Sequence, residues 1–264
     1  MGITMDIEEL KLRRLYNQFL IEKGDMLEVV SALNGFQAQF MSNALHSMKL
    51  RCRDAGMTDF EECVMFDQWG GGIRELCERG FMNFTVEERK AYRLCNYFEP
   101  MDTDAAELEI ARRYFTNFAP ASVKDAAYYI GISQTRVKAL LDRLPVCSCE
   151  CGGTQFFIDN GRKFELSNLS MPECLFLAGF DQLLLGYEKK ESVFLAPEFL
   201  RGIFNLAGIV MPAVLFRGNV VGRWRKKGRK LEVWLFSPLC AADREKLSDA
   251  AGELWGDVSK IVWE

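Results

Sequence analysis

The stretch "ASVKDAAYYIGISQTRVKALLDRLPVCSCECGGTQFFIDN", residues 121–160, constrains the fold of this chain more than any other. Ser122 and Ser133 are of the type that caps helix N-termini, because a hydroxyl oxygen can accept from the unpaired backbone N–H groups of the first turn. Gly131 between them supplies a tight turn. Ala126, Ala127 and Ile130 can face Val137, Leu140 and Leu141 across it. After Leu144 the period changes to two, and Gly152-Gly153 separates two short strand-like runs. Helix, turn, helix and a two-stranded hairpin make the outline of a winged helix. The second helix would be its recognition helix, with Gln134, Thr135, Arg136 and Lys138 near the exposed start. The same outline also serves as a plain structural module.

The segments around it are organised differently. Leu10, Leu12, Leu15, Phe19 and Leu20 give Met5–Lys23 the spacing of an amphipathic helix, stopped by Gly24-Asp25. Further helices are expected over 26–33, 39–53 and 105–118. Between them lie Thr58–Trp69, the glycine triplet Gly70–Gly72 and a capping-box pattern from Thr85 to Glu88 that implies a helix over "FTVEERKAYRLCNYF". The last third alternates apolar and polar residues. Strands are expected over about 210–216, 220–226 and 229–236, with turns at Gly218-Asn219 and at Lys226–Arg229. An acidic helix over 243–255 and a final strand over 258–263 complete the chain.

Several chemistries are excluded by counting. A single histidine, His46, leaves no His-rich metal site and argues against a Ser-His-Asp triad. "WGGGIREL" lacks the lysine and hydroxyl of a phosphate loop, and no G-x-S-x-G elbow occurs. Cys147, Cys149 and Cys151 in "CSCEC" fall on one face of a strand. Zinc ligands are usually spaced as C-x2-4-C pairs, so these thiols read as small apolar side chains and no metal or other cofactor is expected. No apolar run reaches the length that crosses a bilayer. Nine cysteines and a charged start without a signal peptide point to a reducing compartment, the cytoplasm.

Charge is uneven. The chain is −4 overall, yet Arg201–Trp234 holds eight basic residues against one acid, Glu232. Most of them crowd the expected hairpin: Arg223, Arg225, Lys226, Lys227, Arg229 and Lys230. With Arg136 and Lys138 they are the candidate contacts to a polyanion.

One polar pair remains. In "LNGFQAQF" Gln37 and Gln39 flank a single alanine between Phe36 and Phe40. Residues two apart do not share a helix face. They converge only at a turn or helix entry, which Gly35 permits. "LNGFQAQFMSNALHSMKLR" resembles the glutamine-x-glutamine signature of the AlkZ/YcaQ family of bacterial DNA glycosylases. "ARRYFTNFAPASVKDAAYYIGIS" is similar to that family's R-R-Y…F-x-P…D-x-A-x-x-x-G segment. "AGFDQLLLGYEKKESVF" and "GIVMPAVLFRGNVVGRWRKK" are similar to its F-D-x-L-L-L-G-Y run and the hairpin after it. The three blocks stand in family order.

The resemblance implies an α+β fold of tandem winged-helix modules with a C-terminal antiparallel β-barrel-like subdomain. Residues 1–100 would be an N-terminal helical and winged-helix region carrying the glutamines. Residues 101–170 would be a second winged helix, and 171–264 a third module with the barrel-like hairpin region. It implies a monofunctional glycosylase, acting as a monomer on double-stranded DNA with alkylated bases of the N7-alkylguanine type, and on interstrand crosslinks. Gln37 and Gln39 would hold the catalytic water and stabilise the sugar's developing positive charge. This chain departs from the pattern at Phe40-Met41, where the family usually has Asp-Pro, and at Asn83, where a histidine is common. The alternatives are a non-catalytic winged-helix DNA-binding protein or regulator, and a protein that sequesters a genotoxic small molecule.

Overall fold

The computed structural model describes residues 3–19, 82–84, 92–94, 102–159 and 170–264. The expected helices over 26–33 and 39–53, Gln37, Gln39, His46, Thr58–Trp69, the glycine triplet and the Thr85–Glu88 box lie outside them. The chain divides into two compact units, Met1–Leu20 with Tyr114–Glu264, and Ile21–Arg113. In the second, β2 (Met82–Phe84) and β3 (Tyr92–Leu94) form an antiparallel pair that sets Phe84 opposite Tyr92. Tyr92–Leu94 is therefore strand where the capping-box pattern implied helix; Tyr92 is of the aromatic type that favours strands.

In the first unit, β1 (Ile3–Thr4) leads into α1 (Ile7–Phe19). The Asp6 carboxylate accepts from the Glu9 N–H at 2.7 Å and so starts this helix two residues later than its apolar spacing suggests. The unit boundary falls within α2 (Thr103–Asn117). Then come α3 (Val123–Ile130) and α4 (Gln134–Leu141). Ser122 and Ser133 cap them, and Gly131 takes the left-handed conformation at φ 79° that a residue with a Cβ avoids. Tyr114, Phe115, Ala121, Ala126, Val137 and Leu141 form the core between these elements. The hairpin of β4 (Val146–Cys151) and β5 (Thr154–Asp159) follows, and β1 adds to it in parallel to give the order β1-β4-β5. Residues 121–159 thus fold as helix, turn, helix and hairpin.

The C-terminal sheet contains β6 (Cys174–Leu177), β7 (Ala213–Phe216), β8 (Asn219–Lys227), β9 (Lys230–Leu235) and β10 (Lys260–Trp263). Its order is β10-β9-β8-β7-β6, so β6 and β10 are edges and the sheet is open. Three of its four pairings are antiparallel, as expected, and the open edges correct the barrel-like part of the expectation. The reason is α7 (Ala241–Leu254), which packs Leu247 and Ala251 onto Val214, Phe216, Leu231 and Val233. A helical crossover of that length lets β10 pair with β9 in parallel, in place of a hairpin return that could close a barrel. The first hairpin turn sits one residue earlier than expected, at Arg217-Gly218, both with positive φ. The second is Gly228-Arg229 between paired Lys227 and Lys230. Two short helices, α5 (Gln182–Leu185) and α6 (Leu200–Ile203), connect β6 to β7. Asp181 caps α5, and a Cβ on Gly186 would sit 2.5 Å from the Phe118 ring, so the "FDQLLLGY" run is built for close packing.

A buried ion pair joins these parts. Arg14 of α1 lies 2.7 Å from the Asp125 carboxylate of α3, with both side chains almost fully enclosed. Arg14 also donates to the Pro120 carbonyl at 2.9 Å, and its guanidinium lies 3.8 Å from the centre of the Tyr187 ring. Asp125 accepts from the backbone N–H groups of Ser122 and Glu188, both at 3.0 Å. Removing one member of a satisfied buried pair strands the other charge. Asp125→Ala is therefore expected to lower stability by about 3–5 kcal/mol in urea denaturation; a loss within experimental error would contradict this role.

Candidate functional site

The β8–β9 register decides how the hairpin cations are presented. Arg223, Arg225 and Lys227 share one face of β8, opposite Trp234, Glu232 and Lys230 respectively. Trp224 and Lys226 point the other way; the Trp224 indole N–H donates to the Leu177 carbonyl at 2.9 Å and anchors the strand to the core. The hairpin is thus one wall of the C-terminal core that continues outward as a cationic face.

Carboxylates temper that face. Arg225 reaches Glu232 at 2.6 Å and Lys230 reaches it at 2.7 Å. These two cations, Lys230 most strongly, hold the Glu232 carboxyl below the usual carboxylate range. Lys226 pairs with Asp257 at 2.9 Å and holds its carboxyl low as well, while Arg229 donates to the Asp257 carbonyl at 3.2 Å. Arg223 lies over the Trp234 ring, 5.2 Å from its centre. Arg223 and Lys227 face no carboxylate among the described residues. Sequence reasoning missed Trp234 and Asp257. The Trp234 partnership follows from the hairpin register once the turn is placed, whereas Asp257 arrives from beyond α7 and left no local signal.

Arg136 and Lys138 lie elsewhere, on α4. The Arg136 side chain is half-buried and Lys138 is exposed. Lys138 and Gln134 line a groove of about 770 Å³ whose other walls include the hairpin tip Gly152-Gly153, the start of α1 and the start of α3. Arg14 and Asp125 also line this groove, and Lys124 and Glu191 pair at 2.5 Å on its wall. The candidate cations therefore form two groups, one on α4 and one on the β8–β9 hairpin. Gln37 and Gln39 belong to residues outside the description.

The thiol row is part of the core. Cys149 and Cys151 are buried with Met5, Leu10 and Phe156. Burial pushes the Cys149 thiol up to about 11. At neutral pH it should react with a thiol reagent roughly 10²-fold more slowly than exposed Cys240; peptide mapping that finds equal rates would contradict its enclosure.

The hairpin also has a direct test. If the polyanion contact expected from the sequence is made, Arg223→Glu and Lys227→Glu each weaken binding to duplex DNA about tenfold, uniformly across sequences, and lower the salt slope by about one. Glu232→Gln, which releases Arg225 and Lys230, is expected to tighten it. Unchanged affinities in titrations of all three variants would make the face a solvated one.

Comparison with known proteins bears on what this arrangement serves. A family model described as DNA glycosylase AlkZ-like matches residues 73–255. The chain is 27% identical over 200 residues to the interstrand DNA cross-link repair glycosylase of Streptomyces sahachiroi. That match covers 67% of this chain and 53% of the relative, so the chain spans about half the length of the curated relative it matches. Its fold is similar to the solved structure of the Streptomyces sahachiroi DNA glycosylase AlkZ, with a TM-score of 0.61 at 20% identity, covering 98% of this chain and 77% of the other. With the family model matched over more than half of its length, the chain belongs to the AlkZ-like DNA glycosylase family.

Proposed function

We propose that this protein is a monofunctional DNA glycosylase that hydrolyses the N-glycosidic bond of alkylated bases of the N7-alkylguanine type and unhooks crosslinks of the same chemistry. The observation that carries the reading is the family match over residues 73–255. Gln37 and Gln39, upstream of the matched segment, supply the chemistry. A guanine alkylated at N7 carries a positive charge and departs neutral, so no general acid is required. The transition state places positive charge on the sugar, as in glycoside hydrolysis. An amide oxygen offers that cation partial negative charge and orients the attacking water. A glutamine cannot take the proton from that water at neutral pH, which restricts the enzyme to labile, cationic lesions.

In this reading residues 1–100 carry the chemistry, and 101–170 form a winged helix with α4 as its recognition helix. Residues 171–264 present the cationic hairpin. Phosphate contacts from Arg223, Arg225, Lys226, Lys227, Arg229 and Lys230, with Arg136 and Lys138 from α4, position the protein without reading sequence. The monomer on double-stranded DNA is the working unit. Phe40-Met41, in place of the family's usual Asp-Pro, favours a second reading, a DNA-binding protein without catalysis.

Duplex DNA bearing N7-methylguanine separates the two. The first reading predicts free N7-methylguanine in the supernatant and at least about 10²-fold slower release by the Gln37→Ala, Gln39→Ala double variant. DNA binding without base release would establish the second. Release undiminished in the double variant would remove the glutamines from the site.

A further inference from the structure

Three large apolar side chains stand open at one end of the C-terminal sheet. Leu206 is 88% exposed, Phe180 53% and Ile209 45%. Leu206 belongs to the turn Asn205–Ile209, whose stem is the antiparallel bridge between Phe204 and Val210. The turn is firmly tied. Asn205 donates its backbone N–H to the Ile209 carbonyl at 3.1 Å, and its side-chain oxygen accepts from the Ile209 N–H at 2.8 Å. An ordered turn therefore holds its leucine out into water.

Phe180 stands beside this stem. Its N–H donates to the Val210 carbonyl at 3.2 Å. Its φ is +60°, a conformation that costs a bulky residue free energy and that glycine adopts freely. Burial does not compensate that cost, because the ring is more than half exposed. Strain that packing does not explain is a pointer to a contact made in another state.

Topology sets cations next to this tip. Leu177, at the end of β6, is in register with Ala213, and Ala213 with Arg223. From Arg223 the β8–β9 hairpin runs on to Gly228, past the end of β6. The cationic hairpin and the apolar turn thus leave the sheet at the same end. Arg201 on α6, just before the stem, is exposed and has no side-chain partner among the described residues.

We infer that Leu206, backed by Phe180 and Ile209, is an apolar wedge that enters the base stack of duplex DNA while Arg201 and the hairpin cations hold the flanking phosphates. The inference rests on the DNA reading above and adds to it the group that opens the duplex. A base inside a duplex has to leave the stack before its glycosidic bond can be reached, and a leucine or phenylalanine inserted between base steps lowers the cost of that departure. Two side chains on one turn and a third beside its stem are far too few for a stable protein interface. An exposed leucine on a narrow turn is of the type that enters between base steps. Neighbouring cations fit the polyanion on either side.

The test uses duplexes with 2-aminopurine beside a central N7-methylguanine, whose fluorescence rises on unstacking, and fluorescence anisotropy for affinity. Wild-type protein is expected to bind and to raise the signal at least about threefold. Leu206→Ser is expected to lose most of that rise while its Kd changes less than about threefold, since phosphate contacts supply most of the affinity. Phe180→Gly, which relieves the backbone at that position, is the second variant and is expected to lose part of the rise. Equal signals from wild type and both variants, or binding without any rise, would overturn the wedge and leave the DNA reading intact. No binding of wild type to any duplex would overturn both. Binding to phosphatidylserine vesicles in place of DNA would assign the tip to a lipid surface and also overturn the inference.

Discussion

The buried contact between Arg14 and Asp125 is the constraint on which the larger unit depends. Asp125 accepts from Arg14, from the Ser122 N–H and hydroxyl, and from the Glu188 N–H. Arg14 in turn reaches Pro120 and lies against Tyr187. A single carboxylate therefore caps the first helix of the helix-turn-helix, seats the N-terminal helix on it, and fixes the segment that leads from "FDQLLLGY" toward the C-terminal sheet. Such a network holds only when every member is satisfied. Its polar contacts join α1, Pro120, the cap of α3 and the segment after α5, so it ties these parts into one arrangement in a way that apolar contacts alone do not.

That arrangement serves a surface more than a pocket. The C-terminal sheet sends a rigid hairpin outward, rooted by Trp224, whose ring packs against Trp255 with centroids 4.8 Å apart. Its outer face carries Arg223, Arg225, Lys227 and Lys230 against one carboxylate, Glu232. Glu232 and Asp257 keep the hairpin from being a uniform positive field, and they hold several cations in fixed positions before any ligand arrives. On the proposed reading, DNA phosphates compete with these carboxylates, which favours backbone contact at low salt and makes affinity strongly salt-dependent. The chemistry then falls to neutral amides, a division of labour that suits a lesion carrying its own charge.

Much of the larger unit was legible because its signals are local. Ser122 and Ser133 as caps, Gly131 as the turn and Gly152-Gly153 as the hairpin tip all act within a few residues. Period-two alternation marked β7, β8 and β9. The rest depended on partners far away in the chain. β6 is four apolar residues with no punctuation of its own, and β1 is two residues that become a strand only against β4. The parallel pairing of β10, which keeps the sheet open, follows from where α7 returns and not from any residue in 260–263. At the candidate site, the cations were readable as a cluster, whereas their counter-ion Asp257 was not. The glutamines were singled out by their spacing and by resemblance, and their assignment stands on those grounds.

The central claim is that uncharged amides suffice because the lesion supplies the charge. It is tested most directly by measuring base release, by mass spectrometry, from matched duplexes carrying either cationic N7-methylguanine or a neutral uracil. The account predicts free N7-methylguanine and no release of uracil. Comparable release of both bases would contradict it, because a neutral base departs as an anion, and its charge must be met by a proton or by a dedicated group at the base, which amides placed at the sugar do not supply.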